Sequence, residues 1–292
     1  MATTKAARKP SAGATVLEFD QEAIKRTEMA VARESDEEIV ERLTERFQIL
    51  DEMTRAVKQG DVRAMIVSGP PGVGKSFGVE AVLQKADLFN TLAEKKPKFE
   101  IVKGAMSSIG LYAKLYEFSE KGNVVVFDDC DDILMEEQSL NTLKGALDSS
   151  ERRFISWNTD SRILRSEGIP DRFEFKGAAI FITNIKFEHV KSKKLRGHLD
   201  ALESRCHYID LQMDTQREKI LRIKQIVGEG MLDRYEFDKP DAARDEILAF
   251  VDKNKEQLRE LSLRMVLKLA DLRKSFPRTW TAMAKTTCMK RA

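Results

Sequence analysis

Hydrophobic and polar positions follow two rhythms along this chain. From Val40 through Leu43, Phe47, Leu50 and Met53 to Val57, apolar residues recur at the helical period, which predicts a helix with one buried face. Ser35 and Glu38 open it as a capping box, and Gly60 is a suitable stop. Short apolar runs then take over and predict strands at Ala64–Ser68, Phe99–Lys103, Val124–Asp128, Ala178–Thr183 and 207–211. Helical patterns near 75–88, 108–120, 134–148 and 188–203 separate them. Continuously apolar strands alternating with helices predict an α/β fold, a parallel sheet covered by helices on both faces. One insertion breaks the alternation. Phe154-Ile155-Ser156-Trp157 and Phe173-Glu174-Phe175 alternate like the two strands of a small hairpin.

Beyond residue 212 only the helical period remains. Thr215 and Glu218 form a second capping box, and the helix they open runs to about Val227. Pro240 and Asp241 start another through Ile247, Leu248 and Val251; Ser262 caps a third with Met265, Val266, Leu269 and Leu272 on its apolar side. The expected organisation is a disordered tail over 1–16, a helical segment over 17–60, an α/β domain over 61–212, and a small helical domain with the C-terminal tail over 213–292.

Composition narrows the choice of function. Fifty Lys and Arg against 48 Asp and Glu leave a net charge of +2, too balanced to argue for nucleic acid or an anionic membrane. No apolar run approaches the roughly 20 residues of a membrane-spanning helix, and the first residues lack the apolar core of a signal peptide. Three widely spaced cysteines (Cys130, Cys206, Cys288) argue against a disulfide framework and for a reducing, cytoplasmic setting. His189, His198 and His207 have no metal-ligand spacing with each other or with the cysteines.

Two segments carry chemistry. Gly69-Pro70-Pro71-Gly72-Val73-Gly74-Lys75-Ser76 fits G-x-x-x-x-G-K-[ST], directly after a predicted strand and opening the helix expected near 75–88, in which Phe77 is the next residue. Glycines without Cβ let the backbone wrap a phosphate, and the amides of the loop and helix N-terminus point at the anion. Lys75 is placed for the β- and γ-phosphates and Ser76 for Mg²⁺. The second segment, Val124 to Asp129, is an apolar strand ending in two acids. Desolvated carboxylates need a partner. A divalent cation supplies one at Asp128, and alternation puts Asp129 on the other face, where it can orient or deprotonate an attacking water.

Together these elements resemble an AAA+ ATPase over about residues 40–275. GPPGVGKS is close to that superfamily's usual phosphate loop, and Phe127-Asp128-Asp129 is similar to its acidic strand end, with Asp129 one methylene shorter than the more common Glu. The resemblance implies ATP and Mg²⁺ as ligands, with further roles for three residues. Asn184, closing the strand Phe181-Ile182-Thr183, matches the sensor-1 position. Arg205 in Ser204-Arg205-Cys206 resembles the clamp-loader arginine finger, which acts on a neighbouring subunit; Arg196 is the nearby alternative. Arg264 in Leu261-Ser262-Leu263-Arg264 matches the sensor-2 segment of the helical lid, so it joins Gly69 through Phe77 as a nucleotide-binding residue. The resemblance further implies a homo-oligomeric ring, hexameric by analogy. The aromatic pore-loop residue of AAA+ unfoldases has no counterpart in Lys103 to Gly110, where Met106 is the only large apolar loop residue. That departure weakens the case for threading polypeptide, while the Ser204-Arg205-Cys206 likeness to clamp loaders and the compact single module make DNA, or a DNA-bound protein, in a bacterial or phage-infected cell the expected partner. A protein remodeller and an ATP-gated assembly switch with negligible turnover are the rivals.

Overall fold

The computed structural model describes residues 34–290; the expected tail over 1–16 and the first part of the 17–60 segment lie outside the described residues. Helix α1 (Asp36–Gln59) leads into β1 (Ala64–Ser68), α2 (Lys75–Ala86), α3 (Leu88–Leu92), β2 (Phe99–Lys103), α4 (Ser108–Glu117) and β3 (Val124–Asp128). There follow α5 (Asp132–Met135), α6 (Glu137–Ala146), β4 (Phe154–Ser156), α7 (Arg162–Ser166), β5 (Arg172–Glu174), β6 (Ala178–Thr183), α8 (Lys193–Glu203) and β7 (His207–Asp210). The C-terminal part is helical: α9 (Gln216–Gly228), α10 (Pro240–Asn254), α11 (Leu263–Ser275) and α12 (Trp280–Thr287).

The five core strands form one parallel sheet in the order β2-β3-β6-β1-β7. Every residue of β1, β3 and β6 is buried, which is why these strands read as continuous apolar runs. Their alternate residues serve two cores. Ile66, Val125, Phe127, Ala179 and Phe181 face α4, α6, α8 and the hairpin, whereas Met65, Val67, Val126, Ile180 and Ile182 face α1 and α2. The hairpin expected in the insertion is present, β4 antiparallel to β5 with Ile155 opposite Phe173. Tyr112 fixes it to the core: its ring lies 5.4 Å from Trp157 and 5.1 Å from Phe173, and its hydroxyl donates to the Pro170 carbonyl at 2.9 Å.

Helix α1 begins at the expected box: the Glu38 amide donates to Ser35 Oγ at 3.1 Å, and the Ser35 amide to Glu38 Oε2 at 2.7 Å. It ends on Gly60 in the left-handed region, φ 88°. The helix joins the two halves. Leu50 and Val57 pack under the sheet, while Thr44 Oγ1 accepts from Gln225 Nε2 at 2.8 Å and Arg42 pairs with Glu218 at 3.2 Å on α9. Helices α9–α12 have their own core, including Ile247, Leu269 and a Phe250–Trp280 ring contact at 5.2 Å.

Several helix limits differ from the periodic pattern, each for a local reason. Helix α2 stops before Asp87, whose buried carboxylate takes Lys58 Nζ, Asn90 Nδ2 and the Lys98 amide. The helix expected over 134–148 breaks at Glu136, which is extended (φ −103°) and accepts from Ser108 Oγ at 2.6 Å and Ser139 Oγ at 2.9 Å. The next begins only at Lys193, capped by Ser192. The last core strand ends at Asp210, although the Leu211 amide still donates to Ser68 O at 2.8 Å. Helices α3, α7 and α12 had no expectation attached to them.

Candidate functional site

Helix α2 leaves β1 toward one face of the sheet and α8 leaves the adjacent β6 toward the other: Val79 and Leu83 pack in one core, Leu199 and Leu202 in the opposite one. Such a switch opens a crevice at the carboxyl ends of the strands, where open α/β sheets take their ligands. The register aligns Ser68 with Thr183 and Asp128 with Ile182. The loop after Ser68, the acids at 128–129 and Asn184 therefore meet at that crevice.

The phosphate loop has the backbone its glycines permit. Gly72 (φ 71°) and Gly74 (φ 104°) occupy the left-handed region, which costs a residue with Cβ about 1–2 kcal/mol. Lys75 is only 5% exposed. Its Nζ donates to Gly69 O at 2.6 Å, Pro70 O at 2.9 Å and Asn184 Oδ1 at 2.8 Å. Asn184 passes the connection on, its Nδ2 donating to Asp129 Oδ1 at 2.9 Å. Ser76 Oγ donates to Asp128 Oδ1 at 2.8 Å, and Lys103 Nζ lies 3.5 Å from Asp128 Oδ2. Asp129 takes a positive φ of 54° and its amide donates to Ile182 O at 3.0 Å. Asp is among the residues that tolerate this region, and the turn aims its carboxylate at Asn184. Behind it, Thr183 Oγ1 donates to Asp131 at 2.7 Å, and burial raises the Asp131 carboxyl above its usual range.

The C-terminal helices close over the loop. The Leu263 amide donates to Gly72 O at 2.8 Å, and Ser262 caps α11. Arg264 lines the same cleft of about 1170 Å³ as Lys75, Ser76, the 78%-exposed Phe77 and Asp129. A Cβ added to Gly72 would stand 2.7 Å from Ser262 Cβ. Gly72→Ala is accordingly expected to combine the conformational cost with this clash. Thermal unfolding should show a drop of several degrees, and ATP affinity should fall with it.

Burial is the main cause that lowers Lys75 to about 8; Asp129 and Asp128 oppose it, and Arg264 adds to it. An unfolded lysine titrates near 10.4. Between those values the unfolded chain holds the proton that the folded chain has released. The burial cost is therefore complete below pH 8 and fades as pH rises toward 10.4, so this group makes stability increase with pH there. Phosphate binding needs the ammonium and runs the other way. ATP affinity in the resting protein should weaken by up to about tenfold per pH unit above 8, read from nucleotide titrations at pH 7 to 9.5.

Arg205 is not brought to this cleft. Its Nη1 donates to Ala201 O at 2.6 Å, Nη2 lies 4.0 Å from Asp148, and Nε is buried without a partner. Arg196 likewise stays local, donating to Glu188 O at 3.0 Å. One residue in the cleft escaped the sequence reading. Arg222 on α9 is 7% exposed, with its guanidinium carbon 3.5 Å from the centroid of the Phe47 ring on α1. It lies between Leu221 and Ile223 in an amphipathic helix, where an arginine reads as a solvent-facing residue, so no pattern marked it.

Residues 65–201 match the family model for the ATPase family associated with various cellular activities. Over 255 residues, 86% of this chain and 76% of the relative, the chain is 32% identical to a protein described as an uncharacterized 36.7 kDa protein in the nrdC-mobD intergenic region of Enterobacteria phage T4. The chain belongs to the AAA family of P-loop ATPases. The matched residues take in the loop at 69–76, the acids at 128–129 and Asn184. Solved structures with a similar course include domain III of the Thermotoga maritima replication initiation protein DnaA (12% identity, TM-score 0.46, 84% of this chain and 91% of that one). Another is Aeropyrum pernix ORC2 in ADPNP and ADP complexes (14% identity, TM-score 0.46, 84% and 68%). Among the described residues, no helix is long and apolar enough to cross a membrane.

Proposed function

We propose that the chain binds ATP with Mg²⁺ in the cleft between the phosphate loop and α11 and hydrolyses it. The observation that carries this reading is the connected set at the strand ends, with Ser76 hydrogen-bonded to Asp128 and Asn184 bridging Lys75 to Asp129. The residues suit the metal. Mg²⁺ is hard, prefers oxygen, and is commonly held by one or two carboxylates with substrate phosphates and waters. Ser76 Oγ and Asp128 Oδ1 supply two adjacent oxygens, and among the described residues no larger His, Cys, Asp and Glu group competes for it. When bound, Mg²⁺ would neutralise phosphate charge.

The chain's own groups do the rest. Loop amides and the ammonium of Lys75 hold the phosphates, and Arg264 adds charge from the lid side. Asn184 orients both Lys75 and Asp129, and Asp129 orients and deprotonates the attacking water. Hydrolysis removes γ-phosphate contacts, so the C-terminal helices can change angle against the sheet.

Arg205 is assigned to a neighbouring subunit's nucleotide in a homo-oligomeric ring, hexameric by family analogy, because its own cleft lies out of reach. DNA or a DNA-bound protein in a phage-infected bacterial cell is the proposed partner, supported by the Ser204-Arg205-Cys206 likeness to clamp loaders and by the phage relative. Phosphate release with and without DNA tests the activity and the partner together. The ring is tested by mixing subunits: Arg205→Ala and Lys75→Ala proteins, each inactive, should recover part of the activity when combined. No recovery would rule out a finger acting in trans. The short acid Asp129 favours a second reading, an ATP-gated assembly switch. ATP-dependent assembly without phosphate release would select it.

A further inference from the structure

Burying a guanidinium is costly unless carboxylates or hydrogen bonds compensate. Arg222 is buried in the nucleotide cleft with little of either. Nη1 donates to Gln225 Oε1 at 2.9 Å, but Nε is buried with no hydrogen-bond partner, and no carboxylate among the described residues forms an ion pair with it. Burial lowers it to about 10, with Glu229 and Asp51 acting only at a distance. Its position is nevertheless firmly set. Phe47 covers one face of the guanidinium at 3.5 Å, and Gln225 is itself fixed by Thr44 at 2.8 Å. Phe47 adjoins the phosphate loop, within 3.9 Å of a Cβ built on Gly74. A planar cation backed by an aromatic ring, with donors left over, stands one step along the cleft from the phosphates.

We propose that Arg222, braced on Phe47, is the base-recognising residue of this cleft, and that it makes the site select a nucleoside triphosphate over a bare polyphosphate. This rests on the nucleotide reading above. A nucleobase is flat and polarisable and carries acceptor atoms on its edge. It can stack on the guanidinium–phenyl pair, which adds a cation–π attraction, or accept from the guanidinium N–H groups that Gln225 leaves free. A phosphate ligand at the same place would answer chiefly to positive charge, which a lysine retains without the guanidinium's planar fork.

The test compares Mg²⁺-ATP with Mg²⁺-tripolyphosphate, which has no base, in wild type, Arg222→Met and Arg222→Lys. Arg222→Met keeps an apolar chain against Phe47, so folding can be checked by thermal unfolding. Both variants should bind ATP roughly tenfold or more weakly, the scale of one lost base stack, with tripolyphosphate affinity unchanged. Equal losses for both ligands, or rescue by Arg222→Lys, would make Arg222 a phosphate cation and overturn the proposal. Unchanged ATP affinity in a folded Arg222→Met protein would reduce it to packing. If wild type binds tripolyphosphate as tightly as ATP, base recognition fails while the phosphate site stands; if it binds neither, the nucleotide reading itself fails.

Discussion

Lys75→Ala should abolish saturable ATP binding and reduce phosphate release by at least about 100-fold, with the fold retained. Charge-assisted hydrogen bonds contribute about 1.5–3 kcal/mol each, and one ammonium serving two phosphates makes more than one. Lys75 is also the hub of the resting site, donating to Gly69 O, Pro70 O and Asn184 Oδ1. Its removal frees the Asn184 amide to rotate and loosens the orientation of Asp129. Alanine keeps the helical backbone of α2 and relieves the cost of burying a charge, so global unfolding is not the expected cause of the loss. Equilibrium binding of a fluorescent ATP analogue, with thermal unfolding beside it, separates the two. Retained binding with normal Mg²⁺ dependence would show that the loop amides suffice, and the role given to Lys75 would fall.

The parts of the molecule that were legible in the sequence are those whose physics is local or repeated. Strands β1, β3 and β6 announced themselves because burial on both faces demands apolar residues at every position. The loop at 69–76 was legible because a backbone that cradles phosphate needs glycine where φ is positive. Where a boundary depends on a distant partner, the pattern was silent. Helix α2 ends where it does because Asp87 turns inward to Lys58 and Lys98, and α6 begins anew because Glu136 is drawn to Ser108. Helix α12 is short, and its anchor, Trp280, finds Phe250 thirty residues earlier in the chain. At the site, Asp128, Asp129 and Asn184 could each be named singly. The linkage of Asn184 and Asp129 to Lys75, and of Asp128 to Ser76, follows from strand order, which periodicity does not encode. Arg222 is the extreme case: an arginine on an amphipathic helix reads as a solvent-facing residue until α1 is placed against it. Arg205 is the reverse, a residue whose motif is plain and whose side-chain partners among the described residues are Ala201 and Asp148.

Asp129→Asn should leave ATP affinity within about twofold and cut turnover by roughly 10²–10⁴-fold, the usual contribution of a positioned general base. The substitution is close to isosteric, and asparagine tolerates the left-handed backbone at φ 54° as readily as aspartate. The side-chain oxygen that accepts from Asn184 Nδ2 is kept, so geometry survives while basicity is lost. Asp128, which reaches Ser76, is untouched, and metal-dependent nucleotide binding should persist. The split matters because the two adjacent acids have different partners: alternation along the end of β3 sends Asp128 to Ser76 and the turn sends Asp129 to Asn184. Asp128→Asn should therefore show the other pattern, with the Mg²⁺ requirement for ATP binding raised and turnover falling in consequence. Single-turnover phosphate release at saturating ATP, with Mg²⁺ titrated in each variant, distinguishes these outcomes. An Asp129→Asn protein that hydrolyses at the wild-type rate would remove the base from this site and leave the assembly switch as the better account of why two aspartates end the strand.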